Sequence, residues 1–142
     1  MSEAAKVPPR ARPGYNRDNA FFRDGLKEGK FLIQRCAGCQ TLRQPPRAMC
    51  PKCHSFEWDV IEAAGKGTIY SYATHHHPPL PGIEMPARIV LVELDEGVRA
   101  VGNLVDATDA DMKIGNRVTF TVRRYPNGDD TDYPQWKPEQ AA

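Results

Sequence analysis

Two pairs of cysteines are the residues of this chain whose types and spacing most clearly indicate chemistry. Cys36 and Cys39 form the first pair and Cys50 and Cys53 the second, with two intervening residues in each. Thiolates at this spacing can face one tetrahedral ion, so the two pairs predict a Zn²⁺ site with four sulfur ligands. A closed four-sulfur shell leaves no position for water or substrate, so we expect this zinc to stabilise the fold without taking part in catalysis.

Other states of the four cysteines remain open at the level of sequence. Iron binds the same four sulfur ligands, and spacing does not distinguish it from zinc. Two disulfides would require an oxidising compartment, but the first ten residues lack the apolar core of a secretory signal. A redox-active pair begins a helix in a βαβ unit, and no such pattern surrounds either pair. We therefore expect reduced cysteines and a cytoplasmic protein.

Three consecutive histidines precede a proline-rich loop. Side chains of adjacent residues in extended backbone point to opposite faces, so His75, His76 and His77 cannot converge on one metal ion without a sharp distortion of the backbone. His75 and His77 share a face, and either is a candidate base, but no paired nucleophile or nearby carboxylate completes a catalytic set. We identify no catalytic residue and predict that the three histidines, with Pro78 and Pro79, form a loop that lines a ligand or a partner.

The elements that must position these residues are short and mostly strands. The 13 prolines and 11 glycines among 142 residues indicate many turns. We predict a helix over residues 18–29, in which Phe21, Phe22 and Leu26 form an apolar stripe. The stripe packs either on its own domain or on a partner. Since the module beneath it is small, we take the three side chains as candidates for partner contact.

A three-stranded ribbon over residues 30–60 is expected to surround the metal, which would supply stability that so small a unit lacks. Further strands with one interrupting helical turn predict a small Greek-key barrel of the OB-fold type. The fold class is therefore mainly β. The predicted divisions are a flexible arm (1–17), the helix and zinc ribbon (18–62), the OB-fold barrel (63–125) and a loosely held tail (126–142).

The order of these motifs resembles one protein family. The short helix and the cysteine ribbon are followed by Gly-Lys-Gly-Thr-Ile-Tyr-Ser-Tyr at 65–72 and by His-His-Pro-Pro-Leu-Pro-Gly at 76–82. This combination resembles the proteins called domain of unknown function thirty-five (DUF35), in which a rubredoxin-like zinc ribbon is fused to an OB-fold. The resemblance covers about residues 18–125, and all four metal positions are intact.

The resemblance implies an accessory subunit in acyl-CoA metabolism. Members of that family act as partners of thiolase-like proteins. In archaea they bridge a thiolase and a hydroxymethylglutaryl-CoA synthase, and in bacterial steroid side-chain degradation they associate with thiolase-like aldolases and acyl-CoA hydratases. The chemistry sits on the thiolase-like subunit in those assemblies. A hetero-oligomer that helps to bind or channel acyl-CoA is therefore expected here, and independent activity using His75 or His77 stays an alternative.

The charge distribution favours acyl-CoA over nucleic acid as the ligand. Residues 1–54 carry a net charge of +7 and residues 55–142 carry −6. A single-strand binder needs a basic groove with exposed aromatic residues, and an acidic barrel would repel a phosphate backbone. CoA confines its phosphates to one end, so a local cluster suits it. Arg43 and Arg47 are our candidates for contact with those phosphates, because arginine binds phosphate through two parallel donors. A solvated surface is the alternative role of both.

The sequence also bears on two further functional classes, a membrane-associated protein and a scaffold without a ligand. No apolar run approaches the roughly 20 residues of a membrane-spanning helix, so we expect no membrane partner. A scaffold that contacts no small molecule remains open.

Overall fold

A computed structural model describes residues 10–125 and 131–139, and it is mainly β as predicted. One α-helix precedes eight strands, and a short 3-10 helix, Asp109–Asp111, lies between the sixth and the seventh. The elements are α1 (Ala20–Lys27), β1 (Leu32–Cys36), β2 (Leu42–Arg43), β3 (Trp58–Glu62), β4 (Lys66–His75), β5 (Ala87–Leu94), β6 (Arg99–Asn103), β7 (Arg117–Tyr125) and β8 (Thr131–Pro138).

The helix α1 lies within the predicted range, and its apolar stripe faces the chain's own core. Phe22 and Leu26 are 6% and 1% exposed, and the Phe22 ring meets the edge of Phe31 at 5.2 Å between centroids. Phe21 is half-buried and packs on Trp58 at 5.1 Å. Burial contradicts the expectation that Phe22 and Leu26 contact a partner, because the ribbon and β8 together provide the apolar surface that the ribbon alone lacks.

The ribbon is a three-stranded antiparallel sheet in the order β2-β1-β3. Its register pairs Arg35 with Asp59, and the guanidinium donates two hydrogen bonds to that carboxylate at 2.8 and 2.6 Å. The predicted ribbon around the cysteines is thus present, and its middle strand, β1, ends at Cys36.

The second sheet closes into a five-stranded barrel. Its strand order is β6-β5-β4-β7-β8, and a parallel bridge between Leu104 and Trp136 joins the two ends. The N–H of Val105 donates to the carbonyl of Trp136 at 2.8 Å, which continues this closure. A closed five-stranded antiparallel barrel after the ribbon is the predicted OB-fold.

The segment that we expected to be a loose tail contributes the last strand of the barrel. Strand β8 lies inside residues 126–142 and pairs with β7 along its whole length. Trp136 in β8 is 1% exposed and belongs to the core. The polar composition concealed this strand, because its two prolines, Pro134 and Pro138, argue against a strand in sequence. The remaining parts of the predicted tail, 126–130 and 140–142, lie outside the described residues.

The described part of the predicted arm, from Arg10 onward, lies against the barrel. The guanidinium of Arg10 stacks 4.5 Å from the centroid of the Tyr133 ring and 4.9 Å from that of Tyr125. It also donates to Asn103 Oδ1 at 2.6 Å, and the Tyr133 hydroxyl donates to the carbonyl of Ala11 at 2.8 Å. The expectation of a free arm is therefore corrected from Arg10 onward, and residues 1–9 lie outside the described part of the chain.

Helix, ribbon and barrel share one hydrophobic core. Phe31, just before β1, lies 5.2 Å from Phe120 of β7 and 5.9 Å from Trp136 of β8. The predicted boundary at residues 62 and 63 therefore separates two sheets that pack on each other. We infer that the described residues fold as one unit.

Among the described residues, α1 has only 8 residues, and no helix has the length and apolar composition that a membrane-spanning helix requires.

Candidate functional site

The four cysteines of the ribbon meet at one point. Their sulfur atoms all lie within 4.8 Å of one another. The Cys36 and Cys53 sulfurs are 3.5 Å apart, and those of Cys39 and Cys50 are 3.6 Å apart. A tetrahedral zinc with bonds of about 2.3 Å places its sulfur ligands about 3.8 Å from one another, whereas a disulfide bond is about 2.05 Å long. The donor set and spacing fit zinc and exclude disulfides in this arrangement.

Two turns of the same backbone design hold the cysteine pairs. The N–H of Gln40 donates to the carbonyl of Cys36 at 3.0 Å, and the N–H of His54 donates to that of Cys50 at 2.9 Å. Gln40 and His54 each follow the second cysteine of a pair, and both have a positive φ, of 63° and 62°. This left-handed residue ends each turn, so that both cysteines of a pair face the same side.

Hydrogen bonds prepare two of the thiols to bind as thiolates. The backbone N–H groups of Cys53 and Lys52 lower the pKa of the Cys50 thiol to about 6. The Thr41 hydroxyl, whose oxygen lies 3.1 Å from the Cys39 sulfur, lowers the pKa of Cys39. The pKa of the Cys53 thiol is instead raised to about 11, because the hydrogen bond from the Ser55 backbone is outweighed by the sulfur contact with Cys36 and by burial. The donors at Cys50 and Cys39 therefore favour the thiolate, the form that coordinates a metal, at those two positions. The ribbon is therefore a structural zinc site, and its closed shell of four sulfurs assigns the zinc no catalytic step.

A buried amide organises the segment between the cysteine pairs. Gln34, which is 0% exposed, accepts hydrogen bonds through Oε1 from Arg43 Nε at 3.0 Å and from the Arg47 N–H at 2.9 Å. Its Nε2 donates to the Arg47 carbonyl at 2.9 Å. One side chain in the middle of β1 therefore holds the guanidinium of Arg43 and the backbone of Arg47.

The two candidate arginines differ in their surroundings. Arg43 is only 4% exposed and lies in the interior of the ribbon, where Nη2 donates to the Arg47 carbonyl at 3.1 Å. Arg47 is exposed. Both line a cavity of about 430 Å³, and Arg99 of the barrel lines it as well. An open, solvated surface, the alternative role in sequence, does not describe Arg43.

The histidine loop has no catalytic geometry. The Nε2 atom of His75 lies 2.7 Å from the Pro78 carbonyl oxygen, so this ring closes the loop on itself. His76, His77, Pro78 and Pro79 are exposed. Within residues 10–125 and 131–139, no carboxylate forms an ion pair with any of the three histidines. A second cavity, of about 310 Å³, is lined by later residues of the same loop, among them Ile83 and Glu84.

Two residues of this region were missed in the sequence. The burial of Gln34 could have been suspected from the sequence, because it is a polar residue at a position where the apolar run of β1 continues. No sequence pattern indicates the role of Arg99, because it reaches the cavity from the β5–β6 hairpin. Only the packing of the barrel on the ribbon brings it near Arg47.

Comparison with protein families and known proteins gives consistent matches. Residues 23–59 match the family model of the ChsH2 rubredoxin-like zinc ribbon domain, and residues 60–133 match that of the ChsH2 C-terminal OB-fold domain. The chain is 38% identical over 109 residues to a DUF35 domain-containing scaffold protein of Methanocaldococcus jannaschii, covering 74% of this chain and 77% of that protein.

A second relative is longer than this chain. The chain is 54% identical over 111 residues to a probable enoyl-CoA hydratase alpha subunit of Thermomonospora curvata. The match covers 78% of this chain and 35% of that protein, so the chain spans about a third of the relative's length.

One solved structure is similar over nearly its whole chain. It is described as an Ltp2-ChsH2(DUF35) aldolase, and one of its chains is 46% identical to this one with a TM-score of 0.81. The match covers 89% of this chain and 98% of that chain.

Proposed function

The chain belongs to the DUF35 family, with the zinc ribbon and OB-fold of ChsH2, and on that premise we propose that it is an accessory subunit of a thiolase-like enzyme. The observation that carries this proposal is the match to 98% of a chain of the Ltp2-ChsH2(DUF35) aldolase at 46% identity. In the proposed assembly this chain binds the thiolase-like protein and helps to bind or channel its acyl-CoA.

The functional groups of this chain indicate which steps it performs and which steps its thiolase-like partner performs. The four cysteines are the ligands of the structural zinc site, and His75 bonds within its own loop. The described residues therefore provide no activated nucleophile with a paired base. We assign the covalent chemistry to the thiolase-like partner and the positioning of partner and ligand to this chain. We propose a cytoplasmic location, because a zinc site of four thiolates requires a compartment in which cysteines stay reduced.

The partner surface in this proposal is the free edge of β4, since Phe22 and Leu26 are buried. Strand β5 pairs with β4 from Gly67 to His75, but β7 pairs with it only from Lys66 to Thr68. Tyr70 and Tyr72 beyond that point are 48% and 46% exposed.

An unpaired strand edge without charged residues is a surface that native proteins usually cover. Residues 70–74 of β4 contain no charged side chain, and the His75–Pro79 loop continues this edge. We propose that the thiolase-like partner covers the edge and the loop together. Phe21, which is half-buried against Trp58, is left outside this surface.

Size-exclusion chromatography with light scattering tests the proposal. The zinc-loaded chain is mixed with the thiolase-like protein from the same genome, and a hetero-oligomer is expected. The double substitution Tyr70→Asp and Tyr72→Asp is expected to abolish the complex at unchanged zinc content. Phe56→Asp is the matched control, because Phe56 is a 68% exposed aromatic residue that precedes β3 in the ribbon and lies outside the barrel sheet that contains β4. Complex formation by the double variant would contradict the assigned surface, and no complex with the unmodified chain would contradict the function.

A further inference from the structure

A cleft between ribbon and barrel collects three arginines from separate parts of the sequence. Arg43 and Arg47 come from the segment between the cysteine pairs, and Arg99 begins β6. The cavity has a volume of about 430 Å³. None of its other lining residues carries a carboxylate, and they are Leu42, Gln44, Pro45, Pro51, Gly97 and Val98. The cleft is therefore lined by positive charge and by aliphatic surface.

Arg43 contributes a positive charge that no carboxylate of the described residues neutralises through an ion pair. Its hydrogen-bond acceptors are the neutral Gln34 amide and the Arg47 carbonyl. Its Nη1 atom is buried and has no hydrogen-bond partner in the described part of the chain. Burying a charge without a counter-charge is costly, and a charged donor without an acceptor adds to that cost. A bound anion would remove both deficits.

Arg99 is held in place but keeps donors available. Its guanidinium carbon lies 3.7 Å from the centroid of the Tyr70 ring, and Nε donates to Glu93 at 3.1 Å. The terminal nitrogens of Arg99 have no hydrogen bond to residues 10–125 or 131–139. Both members of the Arg99–Glu93 pair are about half exposed, and such pairs contribute little stability. Arg99 can therefore exchange water for a phosphate at its two terminal nitrogens.

We propose that this cleft, here called the arginine cleft, binds the phosphorylated adenosine of CoA. The inference rests on the acyl-CoA part of the proposed function and names the site and the residues. The three guanidinium groups bind the phosphate oxygens, and Leu42, Pro45 and Val98 offer apolar surface to the adenine ring. Gln34 holds the Arg43 guanidinium and the Arg47 backbone in position before the ligand arrives, which limits the ordering that binding requires at these two groups. The zinc ribbon thus acts as a rigid frame for a phosphate site.

Calorimetric titration of the zinc-loaded full chain tests the arginine cleft. CoA, dephospho-CoA and pantetheine are compared, and we expect affinity to fall in that order as phosphates are removed. The double substitution Arg47→Gln and Arg99→Gln is expected to weaken CoA binding by about a hundredfold, or roughly tenfold per arginine. Pantetheine binding is expected to remain unchanged. Lys113→Gln removes an exposed positive charge outside the cleft and is the matched control.

Several outcomes would overturn the inference. They are equal affinity for CoA and pantetheine, unchanged CoA affinity in the double variant, or no binding of CoA at millimolar concentration. ATP binding as tight as that of CoA would overturn CoA as the ligand. Binding of single-stranded oligothymidylate, lost in the double variant, would assign the cleft to nucleic acid instead. Chromatography of the double variant with the thiolase-like partner is independent of these results. A normal complex with unchanged CoA affinity would defeat the arginine cleft and leave the proposed function standing.

Discussion

The side chain of Gln34 accepts a hydrogen bond from Arg43 Nε at 3.0 Å, and both side chains are buried. This contact joins the middle strand of the ribbon to the segment between the cysteine pairs. The same amide also accepts a hydrogen bond from the Arg47 N–H and donates one to the Arg47 carbonyl. Gln34 therefore links the zinc site, the arginine cleft and the core. The consequences of this arrangement can be measured.

Replacing Gln34 by alanine is expected to destabilise the protein. The substitution leaves the Arg43 guanidinium and the Arg47 backbone without their buried partners, and such losses cost roughly 3 kcal/mol together. Urea unfolding of the zinc-loaded variant measures this change in the free energy of unfolding. Lys113→Ala, at an exposed position, is expected to change it by less than about 0.5 kcal/mol. Equal stabilities of the two variants would show that the amide does not organise the segment.

Removal of zinc is expected to unfold the barrel as well as the ribbon. Metal binding contributes on the order of 10–16 kcal/mol in small zinc modules, and Phe31 couples the ribbon to the barrel core. Cys36→Ser, at a buried ligand, is expected to lose the metal and to lower the thermal midpoint sharply. Differential scanning calorimetry with metal analysis checks both effects. Two separate transitions after zinc removal, with the barrel's unchanged, would refute a shared core.

The last strand is expected to be indispensable. Trp136→Ala removes a fully buried ring that contacts Phe31 and Phe120, and core substitutions of this kind cost about 3–5 kcal/mol. Chemical denaturation of the variant measures the loss. Lys137→Ala, at the neighbouring exposed position, provides the comparison. A loss below about 1 kcal/mol for Trp136→Ala would mean that β8 is a loosely held tail after all.

The ion pair between Asp95 and Arg117 predicts a defined pH dependence. Two hydrogen bonds of 2.7 and 3.0 Å from the guanidinium lower the pKa of the Asp95 carboxyl below its usual value. A carboxyl whose pKa is lowered in the folded state stabilises that state fully above its unfolded pKa of about 3.9. This stabilisation is lost as the pH falls through the lower, folded pKa.

The stability difference between the unmodified chain and Asp95→Asn should therefore be constant near neutral pH and shrink below about pH 4. Parallel urea titrations at several pH values measure it, and acid release of zinc cancels because both proteins share it. Both groups are exposed, so the effect is expected to be small. A difference that grows on acidification would have the wrong sign for this pair.

Local sequence patterns predicted the features of the fold that depend on residues close together in the chain. The spacing of Cys36, Cys39, Cys50 and Cys53 specified the metal site, and alternation predicted most strands of the ribbon and barrel within one or two residues. Strand β8 escaped because Pro134 and Pro138 weaken a strand pattern, although Trp136 is the residue that closes the barrel.

The remaining errors concern side chains whose burial or neighbours are determined by tertiary packing. The stripe of Phe22 and Leu26 was visible in sequence, but the surface that covers it combines the ribbon with β8, which lies more than a hundred positions away. Arg43 was recognised as a cation, but its burial depends on Gln34, and the approach of Arg99 depends on how the barrel packs on the ribbon. Periodicity reports which face is apolar and does not report what lies opposite.

Native mass spectrometry of the zinc-loaded chain, co-expressed with the thiolase-like protein of the same genome, tests the central claim most directly. The account predicts a hetero-oligomer that contains both proteins, with one zinc for each copy of this chain. Recovery of this chain only as a zinc-bound species without the thiolase-like protein, at concentrations of both proteins in the micromolar range, would contradict its role as an accessory subunit.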